Sequence, residues 1–392
     1  MSTDYAGDRS ARMAREDVQR QWSGVFSPLR RVDLTLLVAA AGLVVLGLLL
    51  IYSATHARLT SAGLDPWQFV NRQLLTGGLG VVAMAAVMAV DYRVLRAWAI
   101  PIYVATLGSL VAVLLVGVTE LGATRWLDVA GFRFQPSEIA KPALVLMLAA
   151  LFHERREDGL GLRALIEALV IAAIPAALII VQPDLGTAIV FVAITFGVLL
   201  MARVRVRYLV ALAVIGVASL VGAYQLGILR DYQLARLAQF VQAGQGGGDL
   251  DTYNVDQALA AVGAGQLSGQ GLLEGTQTQL GFVPENHTDF IFTVLGEELG
   301  FLGAVLLLGL YAVLLWRAFV ITAGARDTLG TLIAAGVATA FAFQMFINVG
   351  MSIGIMPVTG LPLPLVSYGG TNLIGSLLMI GLLESVAMRR HG

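Results

Sequence analysis

The chain has 392 residues, of which 57% are hydrophobic and 13% are charged, and its formal net charge is −1. So large an apolar share excludes an ordinary soluble domain, because long apolar runs are typical of membrane-spanning helices. The chain has no cysteine, which excludes disulfides and thiolate chemistry, and its four scattered histidines disfavour a zinc site. The composition therefore predicts an all-α polytopic membrane protein that folds as one helical bundle.

The N-terminal segment, residues 1–32, is polar and rich in arginine. It lacks the short apolar segment and cleavage site of a secretory signal peptide, so we interpret it as a cytoplasmic arm. Residues 33–388 are predicted to form a membrane domain of ten transmembrane helices, because apolar runs of about 20 residues recur along them. The predicted spans are 33–54, 73–90, 98–118, 137–153, 164–181, 184–202, 207–226, 288–315, 328–350 and 365–387.

The positions of the arginines indicate how these spans are oriented. If the N-terminus is inside, 18 of the 24 arginines fall on cytoplasmic segments and 6 fall on external ones. Cytoplasmic loops of membrane proteins carry an excess of Arg and Lys. The asymmetry therefore predicts that both termini are cytoplasmic and that the number of spans is even.

One long connection, residues 227–287, is then predicted to be extracellular, and long ordered loops are usually functional. It contains the stretch LRDYQLARLAQFVQ, in which Leu234, Leu237, Phe240 and Val241 share one helical face. This pattern fits an amphipathic helix at the membrane interface, and it fits equally well a helix packed within the loop.

Ionisable residues inside or beside the spans are candidates for function, because they are costly in lipid. Lys141, the single lysine, lies about one turn into the fourth span, with Glu138 three residues earlier on the same face and Arg133 just outside. Lys141 is either a functional cation or an anchor that reaches the membrane surface. Asp184, between spans five and six, is either a simple helix N-cap or a cap with a further function.

The stretch PENHTDFIF carries more polar groups than the start of a helix needs. Glu285, His287 and Asp289 all lie near the external end of span eight, whereas one capping residue would suffice. Glu297 and Glu298 follow about 12–14 Å deeper, at 1.5 Å per residue. We therefore interpret the cluster as functional.

The stretch MPVTGLPLPLVSYGGTN precedes and opens span ten, and its three prolines and three glycines disfavour regular helix. Irregular backbone near membrane depth is tolerated where protein or a water-filled cavity surrounds it. The small and polar residues of the stretch, Ser367 among them, therefore indicate either a cavity wall or a tight corner between packed helices.

Most of these polar groups are predicted to share the external side of the membrane. They are Arg133, Glu138, Lys141, Asp184, Glu285, Asp289 and Ser367. Together they predict one charged cavity that opens outward, in which cations suit a phosphate and a carboxylate suits proton abstraction from a hydroxyl. Chemistry on that side cannot draw on cytoplasmic nucleotide-sugars, so a substrate bearing phosphate and sugar would have to be lipid-linked.

Four stretches of the chain resemble the SEDS family (shape, elongation, division and sporulation), and within it the RodA branch. They are RFQPSEIAK, QPDLGTA, YNVDQALAAVGAGQLSGQGLLEGTQTQLGFVPENHTDFIFTVLGEELGFLG and NVGMSIGIMPVTGLPLPLVSYGG. The resemblance covers essentially all ten spans. It implies a peptidoglycan glycosyltransferase that polymerises lipid II at the outer face of the bacterial cytoplasmic membrane, for cell elongation and rod shape.

The resemblance also implies roles for individual residues. Asp289 is expected to be the catalytic carboxylate, Arg133 and Lys141 are expected to be important basic positions, and Trp126 an important aromatic. The rest of the predicted substrate-binding set is Glu138, Asp184, Glu285, His287 and Ser367. A divalent cation (Mg or Mn) could bridge a pyrophosphate, although the sequence shows no dedicated metal site.

The expected partner is a class B penicillin-binding protein, which crosslinks the glycan strands, and no nucleic-acid partner is expected. We predict that it binds an apolar, lipid-facing surface on spans eight and nine. Small residues let helices approach closely, and this surface is expected to include Gly309, Ala334 and Ala335.

Two rival functions make different predictions. A lipid II flippase or transporter predicts polar residues that run through the bundle to both faces, whereas the cytoplasmic half of each span is nearly bare of them. Glu297 and Glu298 are the main deep exceptions. A membrane scaffold predicts no cluster of lysine, glutamate and aspartate within the spans, which is the cluster that this sequence contains.

Overall fold

The computed structural model describes residues 31–120, 123–129, 131–155, 161–225 and 253–390. Within these ranges the protein is mainly helical, and ten of its helices have 17 residues or more. In chain order the elements are α1 (Leu34–Ser61), α2 (Gln68–Ala89), α3 (Tyr92–Ala97), α4 (Ala99–Val116), β1 (Val118–Glu120), β2 (Ala123–Val129), β3 (Phe132–Phe134), α5 (Pro136–Glu154), α6 (Leu162–Val181), α7 (Leu185–Met201), α8 (Val206–Gln225), α9 (Tyr253–Ala264), α10 (Thr276–Leu280), α11 (Ile291–Ala323), α12 (Thr328–Ser352) and α13 (Gly370–Met388).

Each of the ten long helices overlaps one predicted span. Seven of the described helices are long and apolar enough to cross a membrane, namely α1, α2, α4, α6, α11, α12 and α13. Of the other three, α7 has 17 residues, and the apolar part of α8 is shorter still. α5 has 19 residues but contains Glu138 and Lys141, whose charges lower its mean hydropathy. The helices thus make the chain a multi-pass membrane protein.

The expectation of an all-α chain is wrong between α4 and α5. There the chain forms a three-stranded antiparallel sheet in the order β1–β2–β3. β-branched and aromatic residues such as Val118 and Trp126 favour strands. Gly131, with a φ of 81°, lies in the β2–β3 turn and donates its N–H to the side chain of Asp128. Strands this short carry no apolar helical run, so a search for membrane spans does not detect them.

α12 and α13 form the centre of the bundle. α13 packs against α2, α5 and α12, while α12 also packs against α5, α7 and α11. α1 packs along α11, and the buried side chains of these helices form one continuous hydrophobic core. Polar side chains on the buried faces of α12 are therefore surrounded by protein, so their hydrogen bonds must be made within the fold.

This central position corrects the predicted partner surface. Ala334 and Ala335 of α12 are buried, and a Cβ at Gly336 would meet Val145 of α5 and Val198 of α7. These small residues let α12 approach its neighbours inside the bundle, so they are not lipid-facing. Gly309, on the α11 part of the predicted surface, is exposed.

α11 is broken at Gly300, whose φ of 62° and ψ of −157° lie outside the helical region. Residues 265–271, just before α10, pack into the break. Two N–H groups of this segment donate to the carbonyls of Glu297 and Glu298, just before the break. In the other direction, the N–H groups of the two residues after the break donate to carbonyls of the segment. All four bonds are 2.9 to 3.1 Å long. The segment therefore replaces hydrogen bonds that the broken helix cannot make.

The two deep carboxylates hold the same region together. Glu297 accepts hydrogen bonds from the N–H groups of Gln277 and Thr278, at 2.7 and 2.9 Å, and so caps the N-terminal end of α10. Glu298 accepts a bond from the hydroxyl of Ser53 on α1 at 2.6 Å. Both glutamates are fully buried, and their bonds tie α1, α10 and α11 together.

The described part of the long loop contains α9 and α10, and α9 packs against α11 and α12. The predicted amphipathic stretch, residues 229–242, lies outside the described residues, as does the N-terminal arm up to residue 30. Both interpretations therefore stay predictions.

The glycines at the α11 break test this account of the fold. A Cβ at Gly269 would overlap the carbonyl oxygen of Glu298, and the φ of 81° at Gly269 disfavours any L side chain. Gly269→Ala should therefore lower the free energy of unfolding by about 2–4 kcal/mol, seen as a lower melting temperature in detergent.

Gly263→Ala is the matched control, because Gly263 lies on α9 with open space around its Cα. Alanine is favoured over glycine in a helix, so this change should be neutral or stabilise by about 0.5–1 kcal/mol. Equal melting temperatures for the two variants would contradict the packing of residues 265–271 into the break.

Candidate active site

Asp289 lies on a turn that precedes α11, rather than within the helix as predicted. α11 begins at Ile291, and the N–H groups of Asp289 and Phe290 both donate to the carbonyl of Glu285, at 3.0 and 3.3 Å. Glu285 itself has a φ of 51°, which a non-glycine residue rarely adopts. The turn leaves the Asp289 side chain half-buried at the end of the bundle.

Two further segments fix the position of this turn. Asn348 of α12 donates to the backbone carbonyls of Asp289 and Leu361, each at 2.7 Å. Leu361 belongs to the irregular segment 353–369, which joins α12 to α13. In this segment the backbone at Gly360 approaches the carboxylate of Asp289, since a Cβ there would lie 3.2 Å from Oδ2. The carboxylate therefore lies against the irregular segment.

Lys141 forms a buried ion pair. Its Nζ lies 2.7 Å from Oε2 of Glu138 and donates to Oε1 of Gln344 at 2.8 Å, and the lysine side chain is 1% exposed. Gln344 precedes Asn348 by one turn of α12, which is about 6 Å along the helix axis. α12 thus connects the Lys141–Glu138 pair to the Asp289 turn, so these three predicted residues do come together.

A second group of predicted residues lies where β3 meets α5. Arg133 is exposed on β3, and its carbonyl accepts a bond from the Thr371 hydroxyl at 3.2 Å. Gln135 donates its N–H to the same hydroxyl oxygen, and its side chain reaches Asp184 at 3.4 Å. Asp184 also accepts a bond from the N–H of Thr187, so it caps α7, as both interpretations of this residue expect.

Ser367 and His287, two further polar residues of the cluster, are buried. Ser367 accepts a bond from the N–H of Leu363 at 2.8 Å, and the His287 carbonyl accepts one from Tyr368. The pKa of His287 is lowered to about 4, mainly because the side chain is buried. The charge of Glu285 opposes this lowering, and the charge of Arg58 adds to it. The imidazole is therefore neutral at pH 7 and cannot act as a cation toward a phosphate.

Trp126 and Glu285 lie at the edge of the site. Trp126 is half-buried on β2, and its neighbour Arg125 donates to the carbonyls of Gln182 and Pro183 in the turn between α6 and α7. This fixes the sheet over that turn. Glu285 is exposed and accepts a bond from the Thr288 hydroxyl at 3.2 Å. Both are accessible to a substrate at the end of the bundle.

Sequence reasoning missed three groups around the site. Gln344 and Asn348 were not singled out, although two amides four residues apart in an apolar span share one helical face. That spacing is a signal that could have found them. Arg72, which lies close to the Tyr368 hydroxyl, was counted only as an external charge.

The described residues do not include a group of three or more His, Asp or Glu side chains that could hold a metal ion. The carboxylates near Asp289 are also engaged elsewhere, since Glu138 pairs with Lys141 and Asp184 caps α7. The described side chains therefore do not fit a resident metal site.

A separate cleft of about 240 Å³ lies at the other end of the bundle, lined by residues that include Arg31, Asp33, Arg317 and Arg390. Arg317 follows the start of α11 by 26 residues, so this cleft is about 40 Å from the Asp289 turn along that helix. Since none of the predicted site residues lines it, we do not assign the chemistry to it.

Comparison with known proteins supports the sequence resemblance. Residues 34–392 match the FtsW/RodA/SpoVE family, described as "Cell cycle protein". The peptidoglycan glycosyltransferase MrdB of Escherichia coli (strain K12) is 38% identical over 362 residues, which cover 92% of this chain and 94% of MrdB. Stage V sporulation protein E of Bacillus subtilis (strain 168) is 37% identical over 361 residues, 91% of this chain and 96% of that protein.

Solved structures share the fold. A chain from a structure described as "Structural coordination of polymerization and crosslinking by a peptidoglycan synthase complex" superimposes with a TM-score of 0.77 at 30% identity, covering 92% of this chain and 98% of that one. The rod shape determining protein RodA of Thermus thermophilus gives a TM-score of 0.66 at 32% identity, with coverage of 92% and 98%. The family match and these relatives together show that the chain belongs to the FtsW/RodA/SpoVE family.

Proposed function

We propose that this chain is a peptidoglycan glycosyltransferase that polymerises lipid II into glycan strands at the outer face of the bacterial cytoplasmic membrane, for cell elongation and rod shape. The observation that carries the proposal is the half-buried Asp289, whose backbone carbonyl is bound by Asn348 of α12, one helical turn from Gln344, which binds the buried Lys141–Glu138 pair. MrdB is named a peptidoglycan glycosyltransferase, and RodA of Thermus thermophilus a rod shape determining protein. The first name supports the glycosyltransferase activity, and the second supports the role in rod shape.

The reaction needs one base and one stabilised leaving group. A sugar hydroxyl of the acceptor attacks the anomeric carbon of the donor, and its proton passes to the carboxylate of Asp289. The bond between that carbon and the pyrophosphate oxygen breaks, and its electron pair leaves with the pyrophosphate. Converting an α-linked donor into a β-linked glycan requires inversion, and a single direct displacement with one base is the simplest route.

Arg133 and Lys141 are proposed to hold the pyrophosphate. Arg133 is exposed, so its guanidinium is accessible to a substrate at the end of the bundle. The ammonium of Lys141 has three N–H groups, and bonds to Glu138 and Gln344 account for two of them. Lys141 therefore offers the pyrophosphate at most one further donor, together with a charge that its own ion pair partly offsets.

The other predicted substrate-binding residues have different proposed tasks. Three of these residues are buried and bond to other protein groups, namely Asp184, Glu138 and Ser367. We propose that they maintain the geometry of the site. Trp126 and the exposed Glu285 suit contacts with the sugars. His287, being neutral, suits packing and hydrogen bonding rather than charge.

A lipid II flippase is the alternative function, and it would need polar groups along a path through the bundle. Glu297, a deep carboxylate on α11, caps α10, and its neighbour Glu298 accepts a bond from Ser53 through one carboxylate oxygen, while its other oxygen has no partner among the described residues. Side chains bound in this way are structural, so they do not favour the flippase over the enzyme.

The proposed partner is a class B penicillin-binding protein. The similar solved structure is described as coordinating polymerization and crosslinking in one complex, which supports a crosslinking partner. The exposed face of α11 is the surface we propose for it. Gly309 lies on that face near Leu302 and Leu306, which are 59% and 54% exposed, and a small residue there lets a partner helix approach closely.

The proposed topology places both termini inside and residues 227–287 outside. The chain has no cysteine, so single cysteines can be placed without background. Ser268→Cys in the loop and Arg163→Cys at the start of α6 are both at exposed positions. An impermeant maleimide should label only the Ser268 position in intact cells, and the Arg163 position only after the cells are opened. The reverse pattern would overturn the orientation.

The role of Asp289 is tested by Asp289→Asn, which keeps the shape of the side chain but cannot accept the proton. General-base catalysis contributes about 10²–10⁴-fold, so polymerisation of lipid II by the purified protein should fall to near background while lipid II still binds. Asp256→Asn on α9 is the matched control, since Asp256 is also half-buried but lies outside the site, and its rate should match wild type. Polymerisation by Asp289→Asn at the wild-type rate would show that another group is the base.

The Lys141–Glu138 pair is tested by removing both charges together, in Lys141→Met with Glu138→Gln. This double variant leaves no unpaired buried charge, so it should keep the wild-type melting temperature. It should bind donor more weakly and turn over more slowly, because a pyrophosphate contact acts in both the ground state and the transition state.

Lys141→Met alone is the comparison, because it leaves Glu138 buried without a cation. It should also lose about 3–5 kcal/mol of stability. If the double variant binds and polymerises lipid II as wild type does, the pair has only a structural role.

A further inference from the structure

Asn348 is a buried amide in the middle of an apolar helix, and its bonds lead to the candidate base rather than to its own helix. Its side chain is 0% exposed. Both of its Nδ2 bonds, each 2.7 Å long, go to main-chain carbonyls of irregular segments, those of Asp289 and Leu361.

The orientation of this amide is dictated by its surroundings. Turning it over would place the amide oxygen against two carbonyl oxygens, which repel it. In the orientation observed, Oδ1 is buried and has no hydrogen-bond partner among the described residues. An unsatisfied buried acceptor costs about 1–3 kcal/mol, so the amide is held in place at the expense of stability, as is common at functional sites.

The two carbonyls bring together the parts that flank the Asp289 carboxylate. One belongs to the turn that carries Asp289, and the other follows Gly360, whose backbone approaches Oδ2 of the carboxylate. The turn lies outside α11, so regular helical bonding does not fix its orientation. Asn348 therefore ties the turn to the segment against which the carboxylate lies.

We propose that Asn348 is a positioning residue for the glycosyl transfer, and that it fixes the carboxylate of Asp289 by bonding its carbonyl and that of Leu361 to α12. This inference rests on the proposed role of Asp289 as the base. Asn348 does not itself touch substrate; it acts through the backbone of the turn. Misplacement of a catalytic group by about 1 Å costs about 10²-fold in rate, and that is the scale of effect to expect.

The experiment compares Asn348→Leu with Ser352→Ala in purified, full-length protein supplied with lipid II. Leucine has a similar volume but no donors. Ser352 lies one turn further along α12 and is equally buried, and its hydroxyl donates to the backbone carbonyl of Asn348 and not to either irregular segment, so it is the matched control. Asn348→Leu should lower kcat by about 10–10²-fold and leave KM within about twofold of wild type, whereas Ser352→Ala should leave both unchanged.

A double variant separates positioning from a merely structural role. Asp289→Asn already lacks the base, so adding Asn348→Leu to it should not lower the residual rate or lipid II binding any further. A further loss of the residual rate or of binding would show that Asn348 acts on something other than Asp289. Wild-type kcat in folded Asn348→Leu, or a change confined to KM, would also overturn the inference.

If Asn348→Leu does not fold, Asn348→Ser decides the matter, because its hydroxyl keeps one donor and removes the unsatisfied amide oxygen. A lowered kcat at unchanged KM supports positioning, and wild-type kcat overturns it. A wild-type rate in Asp289→Asn itself would instead defeat the proposed function, so the two failures are distinguishable.

Discussion

Inside a hydrocarbon layer, a backbone N–H or carbonyl without a partner is costly, because no water is present to bind it. The same cost applies to backbone groups buried in the protein, and two departures from regular helix in this protein meet it. Gly300 interrupts α11, and residues 265–271 bind the groups that the interruption leaves open. Just before the start of α11, Asn348 of α12 binds carbonyls of the two irregular segments that carry and flank Asp289. Irregular backbone is present at both places because protein groups satisfy it.

Irregular backbone gives the site a freedom that a helix would not. Residues on one helix can project side chains only at fixed intervals. The turn before α11, by contrast, places Asp289 beside the irregular segment 353–369, which follows the C-terminal end of α12. A turn is less rigid than a helix, so it positions the Asp289 side chain less precisely. α12 restores the precision, because it is packed on several sides and presents Gln344 and Asn348 one turn apart. A rigid central helix thus holds both the ion pair and the candidate base.

The charged groups of the protein differ in what they contribute. The Lys141–Glu138 pair is almost fully buried, and burying two charges costs several kcal/mol per ion, so its presence is weak support for a stabilising role. Arg155 and Glu167, by contrast, are partly exposed at the far end of α5, and such pairs contribute little. A costly ion pair that α12 links to the turn of the candidate base is more simply explained by chemistry than by stability, which is why we propose that Lys141 contacts the pyrophosphate.

The sequence by itself determined the class of the protein, the helices and most of the polar cluster. Each predicted span overlaps a helix, because apolar runs of this length have few alternatives to helix in lipid. The predictions for individual residues were less reliable than those for the helices. Asp184 was predicted to cap a helix and does cap α7. The interpretation of Ala334 as lipid-facing was wrong, because the sequence of a small residue does not show whether it faces lipid or a neighbouring helix.

The tertiary structure alone decided which polar groups meet. Lys141 and Gln344 are 203 residues apart, and Asn348 and Asp289 are 59 apart, so no local pattern pairs them. The sheet between α4 and α5 was missed because three short strands gain their stability from one another and from the turn they cover rather than from an apolar run. Sequence fixes what each segment can become through local geometry and hydropathy. Which buried donors find which acceptors depends on how the helices pack, and only the folded bundle determines that.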